Sequence, residues 1–263
     1  MVRAASGGAV RRPASSLLSL ILPAYDEARR LPASLARCAD HFIARGIPAE
    51  IIVADDGSGD DTAEAVARAV AALPAGAPPV RYLRLPHRGK GGAVRAGAGA
   101  AAGDPIVFLD ADLTIPVEIV DEFLRAIGAG ADIAIASRYV RGSLVDRPWW
   151  RRVIGDTYRL AVRAIVPTGV NDTQCGGKAY TAQAAAQLFP RQRLDGFAFD
   201  AELLFLARRA GYRVVEIPFA LRQHRGTSID FLSDAPRMIR DLLLIRWNAL
   251  RGRYGAPAGR GAR

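Results

Sequence analysis

The chain has 263 residues, half of them hydrophobic, and this length suits one substantial core in a single domain. Its net charge of +10 is concentrated at the two ends, since residues 1–13 contribute +3 and residues 232–263 contribute +5. The sequence contains neither a basic stripe interleaved with aromatic residues nor an apolar run approaching the ~20 residues that would cross a bilayer. This composition argues against a nucleic-acid-binding protein and against an integral membrane protein.

Both ends of the chain are predicted to be disordered and basic. Residues 1–16 contain three arginines without the apolar core of a signal peptide, and residues 252–263 form a tail rich in Gly, Ala and Arg. Cys38 and Cys175 are far apart and fit no metal-ligand spacing, which favours reduced thiols. Basic ends beside a nearly neutral body suit the negative surface of a membrane. We therefore expect a cytoplasmic protein that can lie peripherally on the inner face of the membrane.

Residues 17–137 alternate short apolar strands with helices. The pattern predicts strands at residues 18–23, 50–54, 80–84, 105–109 and 132–136. It predicts helices at residues 28–44, 60–72, 91–102 and 116–128. Such alternation is typical of a mostly parallel α/β sheet with helices on both faces, in which ligands bind at the carboxyl ends of the strands.

Beyond residue 137 this alternation weakens. The pattern predicts helices at residues 149–165, 181–188 and 199–210, a strand at 213–217 and a final helix from Ser233 to Arg251. The final helix is amphipathic. Its apolar residues at helical spacing are Ile239, Leu242, Leu243 and Leu250, and the opposite arc carries Arg237, Arg240 and Arg251. It suits either an anionic membrane surface or packing on its own protein.

Two carboxylates follow the strand at residues 105–109. Asp110 and Asp112 are two residues apart, so on an extended backbone their side chains point the same way. They can then share one hard divalent cation, Mg²⁺ or Mn²⁺. An acidic turn with no metal is the structural alternative.

Three further motifs precede this one, each at the end of a predicted strand: Leu20–Glu27, Ile51–Ser58 and His87–Gly92. The last opens a helix with exposed amides and the cation of Lys90, which makes a cradle for an anion. It is not a Walker loop, because the spacing and the final Ser or Thr are missing. Asp55–Ser58 also favours a helix-capping turn, because Asp-Gly-Ser is common in turns.

Together, these four motifs resemble the family 2 glycosyltransferases of GT-A fold, and within them the branch of dolichyl- or polyprenyl-phosphate β-glucosyltransferases. The resemblance covers roughly residues 17–250. It implies a Rossmann-like GT-A domain over residues 17–231, followed by the amphipathic helix at 232–251. It also implies inverting, metal-dependent transfer of a sugar from a UDP-sugar to a polyprenyl or dolichyl phosphate, with glucose as the expected sugar.

The resemblance also implies a site for the nucleotide-sugar donor. Its nucleotide pocket would be lined by Pro23, Tyr25, Glu27, Asp55, Lys90 and Ala111. A nucleotide diphosphate leaves poorly until its developing charge is neutralised. A metal held by Asp110 and Asp112 provides that neutralisation without a proton.

The second half of the chain resembles the same branch at residues 136–139, 171–178 and 196–203. There, Arg138 and Lys178 are candidates to grip a donor or acceptor phosphate, with plain surface charge as the alternative. Asp200 and Glu202 stand where many relatives have a catalytic carboxylate, although acids also favour the first turn of a helix. The candidate catalytic residues are therefore Asp112, Asp200, Arg138 and Lys178.

Two departures from the family pattern bear on the acceptor. Gly177 stands where relatives usually have an aromatic residue, and Ile229 stands where they usually have Lys after Gly-x-Ser. His224 is a further residue that could meet the donor phosphate or the metal. The loss of the Lys favours an alternative acceptor, a soluble small molecule with a hydroxyl group, and a nucleotidyltransferase is the second alternative.

The nature of the acceptor decides what Asp200 must do. A lipid monophosphate has a second pKa near ~6 and is largely dianionic at neutral pH, so it needs no general base. A hydroxyl acceptor needs one.

Overall fold

A computed structural model describes residues 17–145, 149–221 and 231–255. The predicted tail at residues 1–16, most of the tail at 252–263, His224 and Ile229 lie outside the described residues. Within that described part, no helix is long and apolar enough to cross a membrane.

The secondary structure follows the predicted alternation through residue 137. The strands are Leu18–Ala24 (β1), Ala49–Asp55 (β2), Val80–Arg84 (β3), Ile106–Leu109 (β4), Ile133–Ser137 (β5), Leu144–Val145 (β6), Gly177–Tyr180 (β7), Val214–Pro218 (β8) and Ala220–Leu221 (β9). The helices are Leu31–Arg45 (α1), Thr62–Ala71 (α2), Lys90–Ala100 (α3), Ile119–Gly128 (α4), Trp149–Ile165 (α5), Ala182–Leu188 (α6), Phe199–Arg209 (α7) and Phe231–Leu250 (α8). Each predicted helix and strand is present, and the bounds differ by up to three residues. The sequence did not predict β6, β7 or β9.

Seven strands form one mostly parallel sheet in the order β3-β2-β1-β4-β7-β5-β8. Only β7 runs antiparallel to its neighbours β4 and β5 within this sheet. β6 and β9 make a separate two-stranded parallel ribbon. The predicted fold class, a GT-A-like parallel sheet flanked by helices with a C-terminal helix, is therefore confirmed.

The sheet separates two apolar layers, and β1 contributes to both because successive side chains of a strand point to opposite faces. Leu20 and Leu22 belong to the same buried cluster as Phe42 of α1 and Phe123 of α4. Ile21 belongs to the cluster on the other face, with residues of α3, α7 and α8. Helices covering both faces hold the strand ends in fixed relative positions, and the loops that follow them form the site.

The end of the chain differs from the sequence prediction. α8 begins at Phe231 rather than at Ser233, and residues 251–254 form a turn rather than the start of a disordered tail. The phenol ring of Tyr254 explains this difference, because only 4% of the residue is exposed.

One close approach fixes the position of Asp110 after β4. The carbonyl of Gly176 accepts a hydrogen bond from the N–H of Asp110 at 3.0 Å. A Cβ atom on Gly176 would overlap the Asp110 carboxylate. A side chain at position 176 would therefore displace the Asp110 carboxylate from its place beside Lys90.

We predict that Gly176→Ala lowers the free energy of unfolding by about 1–3 kcal/mol, because overpacking forces neighbouring atoms to shift. Gly99→Ala is the matched control, since a Cβ on this glycine of α3 meets nothing within 4 Å. That control should be neutral or stabilise the protein by up to ~1 kcal/mol. Urea denaturation measures both variants, and equal stabilities would contradict the proposed close packing.

Candidate active site

The carboxyl ends of four parallel strands bring the candidate residues to one edge of the sheet. β1 ends at Ala24 and β2 at Asp55, while β4 leads into Asp110 and β5 into Arg138. Pro23 and Ala111 are both buried at this edge. The sequence motifs, which are separated by up to about a hundred residues, therefore meet in one place, as open α/β sheets require of a ligand site.

Asp110 lies beside Lys90, the first residue of α3. The Lys90 Nζ is 2.5 Å from Asp110 Oδ1, and the two side chains are 21% and 35% exposed. Burial disfavours the charged form of Lys90, but Asp110, Asp200 and Asp112 outweigh it and raise the pKa of the ammonium group. Lys90 is therefore a cation held at the carboxylates.

Asp112 follows in a turn rather than on the extended backbone that the sequence predicted. Strand β4 stops at Leu109, and Leu113 has a φ of +46°. Asp112 Oδ1 accepts a hydrogen bond from the N–H of Thr114 at 2.9 Å, and its Oδ2 lies 3.8 Å from Arg30 Nη1. The turn still presents both carboxylates at the strand end.

Glu27 completes an acidic cluster with these two aspartates. Burial is the main cause that raises the pKa of Glu27, and the charges of Asp112 and Asp110 raise it further, whereas Arg30 lowers it. Arg30 Nε lies 3.1 Å from Glu27 Oε2, so one guanidinium group reaches both Glu27 and Asp112. The sequence analysis did not single out Arg30, although it follows the Pro23–Glu27 motif by only three positions.

These residues fit a divalent cation. Among the described residues, no group of three His, Cys, Asp or Glu side chains has metal-binding geometry. Mg²⁺, however, is commonly bound by one or two carboxylates together with substrate phosphates and water. Burial is the main cause of the raised pKa of Glu27, and a cation among Glu27, Asp110 and Asp112 would relieve the repulsion that adds to it.

The two aspartates at the end of β2 hold different loops. Asp55, 1% exposed, accepts hydrogen bonds from the N–H of Ser58 at 3.0 Å and from the hydroxyls of Ser58 and Tyr82. Asp56 accepts from the backbone N–H groups of Arg88 and Gly89, at 2.9 and 2.8 Å. Asp56 thus anchors the loop that enters α3, while Asp55 shapes the turn after β2, in agreement with the turn interpretation of this motif.

Two aromatic side chains lie at the mouth of the site. The rings of Tyr25 and His87 are 4.4 Å apart between centroids, with an interplanar angle of 35°. Tyr25 is 49% exposed, so its ring faces solvent as well as the imidazole. The Nδ1 of His87 is 2.9 Å from Asp56 Oδ2. The sequence analysis gave His87 no role of its own, because nothing in the sequence placed it beside Tyr25.

Lys178 and Asp200 form a buried ion pair rather than surface charges. Lys178 is fully buried on β7, and its Nζ lies 2.7 Å from Asp200 Oδ1 and donates to the carbonyl of Cys175 at 2.7 Å. Burial raises the pKa of Asp200, although Lys178 and Lys90 lower it. Asp200 is therefore electrostatically linked to the same Lys90 that pairs with Asp110.

Arg138 is held by a second ion pair. Its Nε and Nη2 each donate to the Asp172 carboxylate at 2.7 Å, and its backbone N–H donates to Asp172 Oδ2 at 2.9 Å. Burial opposes the charged form of Asp172, but the adjacent guanidinium group outweighs it and lowers the pKa of this carboxyl. The N–H of Asp172 in turn donates to Glu216 of β8 at 3.2 Å. Arg138 is thus fixed at the end of β5.

Comparison with known proteins connects this site to a family. The family described as Glycosyl transferase family 2 matches residues 19–192. Glycosyltransferase AglD of Haloferax volcanii is 32% identical over 247 residues, which are 90% of this chain but only 39% of that protein. The dolichyl-phosphate beta-glucosyltransferases of Dictyostelium discoideum and Mus musculus are 31% and 30% identical, over 89% and 90% of this chain and 75% and 77% of theirs.

The fold has a close counterpart among solved structures. Glucosyl-3-phosphoglycerate synthase from Mycobacterium tuberculosis, in complex with Mn²⁺, UDP and glucosyl-3-phosphoglycerate, has a TM-score of 0.65 and 21% sequence identity, covering 97% of this chain and 88% of that one. At this identity the likeness concerns the fold. Together with the family match, it means that this chain belongs to glycosyl transferase family 2 and is a nucleotide-sugar-dependent glycosyltransferase of GT-A fold.

Proposed function

We propose that this enzyme transfers glucose from UDP-glucose to a polyprenyl or dolichyl phosphate, with inversion at the anomeric carbon and with Mg²⁺ or Mn²⁺ as cofactor. The observation that supports this most is the cluster of charges at the sheet edge, where Asp110 pairs with Lys90 and Asp112 lies near Arg30. The acceptor is inferred from relatives at about 30% identity over nine-tenths of the chain, which are named dolichyl-phosphate beta-glucosyltransferases.

On the donor side, Asp110 and Asp112 would hold the metal. When bound, such a cation neutralises the charge that develops on the departing UDP. Lys90 adds a second positive charge at the start of α3, where the positive end of the helix dipole also favours a diphosphate. We assign the base and ribose to the pocket around Pro23, Tyr25, Glu27, Asp55 and Ala111, with the exposed ring of Tyr25 available for stacking.

On the acceptor side, a lipid phosphate oxygen attacks the anomeric carbon. The bond from that carbon to the UDP oxygen breaks, and UDP leaves with the electron pair. No proton has to move, because the phosphate is largely dianionic at neutral pH. We assign Arg138 and Lys178 to the electrostatics of this side, and Asp200 to positioning through its pair with Lys178.

An alternative within the same enzyme class is a soluble hydroxyl acceptor, which would make Asp200 a general base. The raised pKa of Asp200, caused mainly by burial, is the observation that favours it.

An exposed apolar surface suggests where the enzyme would meet a lipid bilayer. α8 buries Leu242 and Ile245 against the body, but Leu243 and Leu250 are 54% and 72% exposed. A groove of about 350 Å³ on this face is lined by Arg240, Leu243, Leu244, Arg246, Trp247 and Leu250. α5, which packs on α8, adds the exposed Trp149, Trp150, Val153 and Leu160. Apolar and tryptophan side chains beside arginines suit an anionic membrane surface.

The proposed reaction predicts transfer of radiolabelled glucose from UDP-glucose into the organic phase when polyprenyl phosphate and Mn²⁺ are supplied. Asp112→Asn should lower turnover by roughly a hundredfold or more, because it removes a charge-stabilising contact. Asp40→Asn, on the exposed side of α1, is the matched control and should keep full activity. Full activity in excess chelator would refute the metal, and diphosphate release from UTP would indicate a nucleotidyltransferase instead.

The phosphate acceptor predicts that Asp200→Asn retains appreciable turnover. The loss should stay well below the roughly 10²–10⁴-fold that general-base assistance supplies. Assays should be run well below the melting temperature, since Lys178 loses its charged partner and breaking a buried pair costs about 3–5 kcal/mol. Near-complete loss of turnover, with an intact fold and unchanged donor affinity, would instead support the hydroxyl acceptor.

The exposed face of α8 predicts binding to vesicles that contain anionic lipid, weakening steeply with salt, because each arginine near the surface contributes about 1 kcal/mol. Removing α8 is not a clean test, since Leu242 and Ile245 are buried in the core. The double variant Leu243→Ser/Leu250→Ser should instead lower vesicle binding. Ile43→Ser, at a similarly exposed position on α1, is the control and should have no effect. Co-sedimentation measures this, and undiminished binding by the double variant would contradict it.

A further inference from the structure

The turn that follows α8 is tied into the body of the enzyme by Glu202. The hydroxyl of Tyr254 donates to Glu202 Oε1 at 2.6 Å, and both residues are buried. Glu202 Oε2 accepts from the backbone N–H groups of Arg193 and Leu194, at 3.0 and 2.9 Å. The guanidinium group of Arg193 in turn donates to the carbonyl of Arg253 at 2.6 and 3.1 Å. The C-terminal turn and the segment around residue 193 therefore share one hydrogen-bond network.

That segment, residues 192–196, rests on the first turn of α3; we call it the support segment. Gln192 Nε2 donates to the carbonyl of Gly91 at 2.8 Å, and the N–H of Gly92 donates to the carbonyl of Asp195 at 3.2 Å. A Cβ on Gly89 would lie 2.6 Å from the carbonyl oxygen of Asp195. The contacts of Gly89 and Gly92 with Asp195 are backbone against backbone, so a shift of the support segment moves the start of α3.

The first residue of α3 is Lys90, whose ammonium group pairs with Asp110. The network therefore runs from the C-terminal turn through Glu202 and the support segment to the charged groups proposed to receive the donor diphosphate. The lysine side chain is flexible, so the position of its ammonium group is well defined only if the backbone that carries it is fixed.

Holding the C-terminal turn in place would not by itself require a buried carboxylate and a buried phenol. Burying a carboxylate and a phenol costs free energy unless their hydrogen bonds are satisfied, and an apolar contact would hold the turn without that cost. Burial raises the pKa of Glu202, while Tyr254 and the two backbone donors lower it. All three donors are directional, so they fix the geometry of the support segment.

We propose that Glu202 and Tyr254 are positioning residues, which hold the support segment, and through it Lys90, in the place that binds the donor diphosphate. This inference rests on the proposed use of a UDP-sugar. It assigns a role in donor binding to a turn at the far end of the chain, about 160 residues from Lys90 in sequence.

The test compares Tyr254→Phe with Tyr212→Phe by calorimetric binding of UDP in the presence of Mn²⁺. Tyr212 is also buried, and its hydroxyl has no hydrogen-bond partner within the described part of the chain. Tyr254→Phe should weaken UDP binding roughly three- to tenfold, the effect expected of one lost hydrogen bond. Tyr212→Phe should bind UDP as the unmodified protein does. Arg193→Ala, which releases the same turn from its exposed side, should act in the same direction as Tyr254→Phe.

A double-mutant cycle separates positioning from general destabilisation. If Tyr254 acts through Lys90, Tyr254→Phe should cause no further loss of UDP affinity in a Lys90→Met background. An undiminished loss in that background, an equal loss in Tyr212→Phe, or no loss in Tyr254→Phe would each overturn the inference alone. Failure of the unmodified protein to bind UDP would overturn the proposed donor, and this inference with it.

Discussion

The antiparallel strand β7 is the constraint on which the rest of the site depends. It lies between β4 and β5, which would otherwise be parallel neighbours, and it enters the sheet from the edge that carries the candidate site. Gly176, the residue before β7, accepts a hydrogen bond at its carbonyl from the N–H of Asp110. The second residue of β7, Lys178, is buried in the core. Asp110 and Lys178 thus both take their positions from one four-residue strand.

Two ion pairs accompany this arrangement. The pair of Lys178 and Asp200 is buried, and in the second pair Asp172 is buried while the Arg138 side chain is 25% exposed. Breaking such a pair is costly, while the intact pair adds little net stability compared with an apolar contact of the same volume. The two pairs therefore contribute to the geometry of the site more than to stability. Because each carboxylate is held in place by a cation, the electrostatic field at this edge of the sheet is defined before a substrate binds. A charged substrate then meets dipoles and charges that need not reorganise.

Most of the fold could be predicted from the sequence, because the first five strands are apolar, β-branched and separated by amphipathic helices. β7 could not, since Gly-Lys-Ala-Tyr is short and its lysine suggests a surface position. Its burial depends on Asp200, which is 22 residues away in sequence and becomes its partner only in the folded chain. Tyr254 was missed for a similar reason, because its Gly- and Arg-rich surroundings are typical of a disordered tail.

The candidate site was predicted in part. The sequence indicated which residues gather at the strand ends, because the carboxyl ends of parallel strands share one edge. It did not indicate which of their carboxylate oxygens already accept hydrogen bonds within the protein. Both oxygens of Asp55 accept hydrogen bonds from Ser58 and Tyr82, and this depends on the register of β2 against β3. The roles of the individual nucleotide-pocket residues therefore stay predictions.

The glycine at position 177 has an explanation in packing. A Cβ on Gly177 would lie 3.0 Å from Ile115 Cδ1 and 3.1 Å from Leu109 Cδ2. The side chain of Ile115, in the loop after Asp112, thus lies in the space that an aromatic ring at position 177 would need. In this chain, a larger side chain at position 177 would therefore require Ile115 and Leu109 to shift. The volume at position 177 is thus linked to the shape of the loop that follows Asp110 and Asp112.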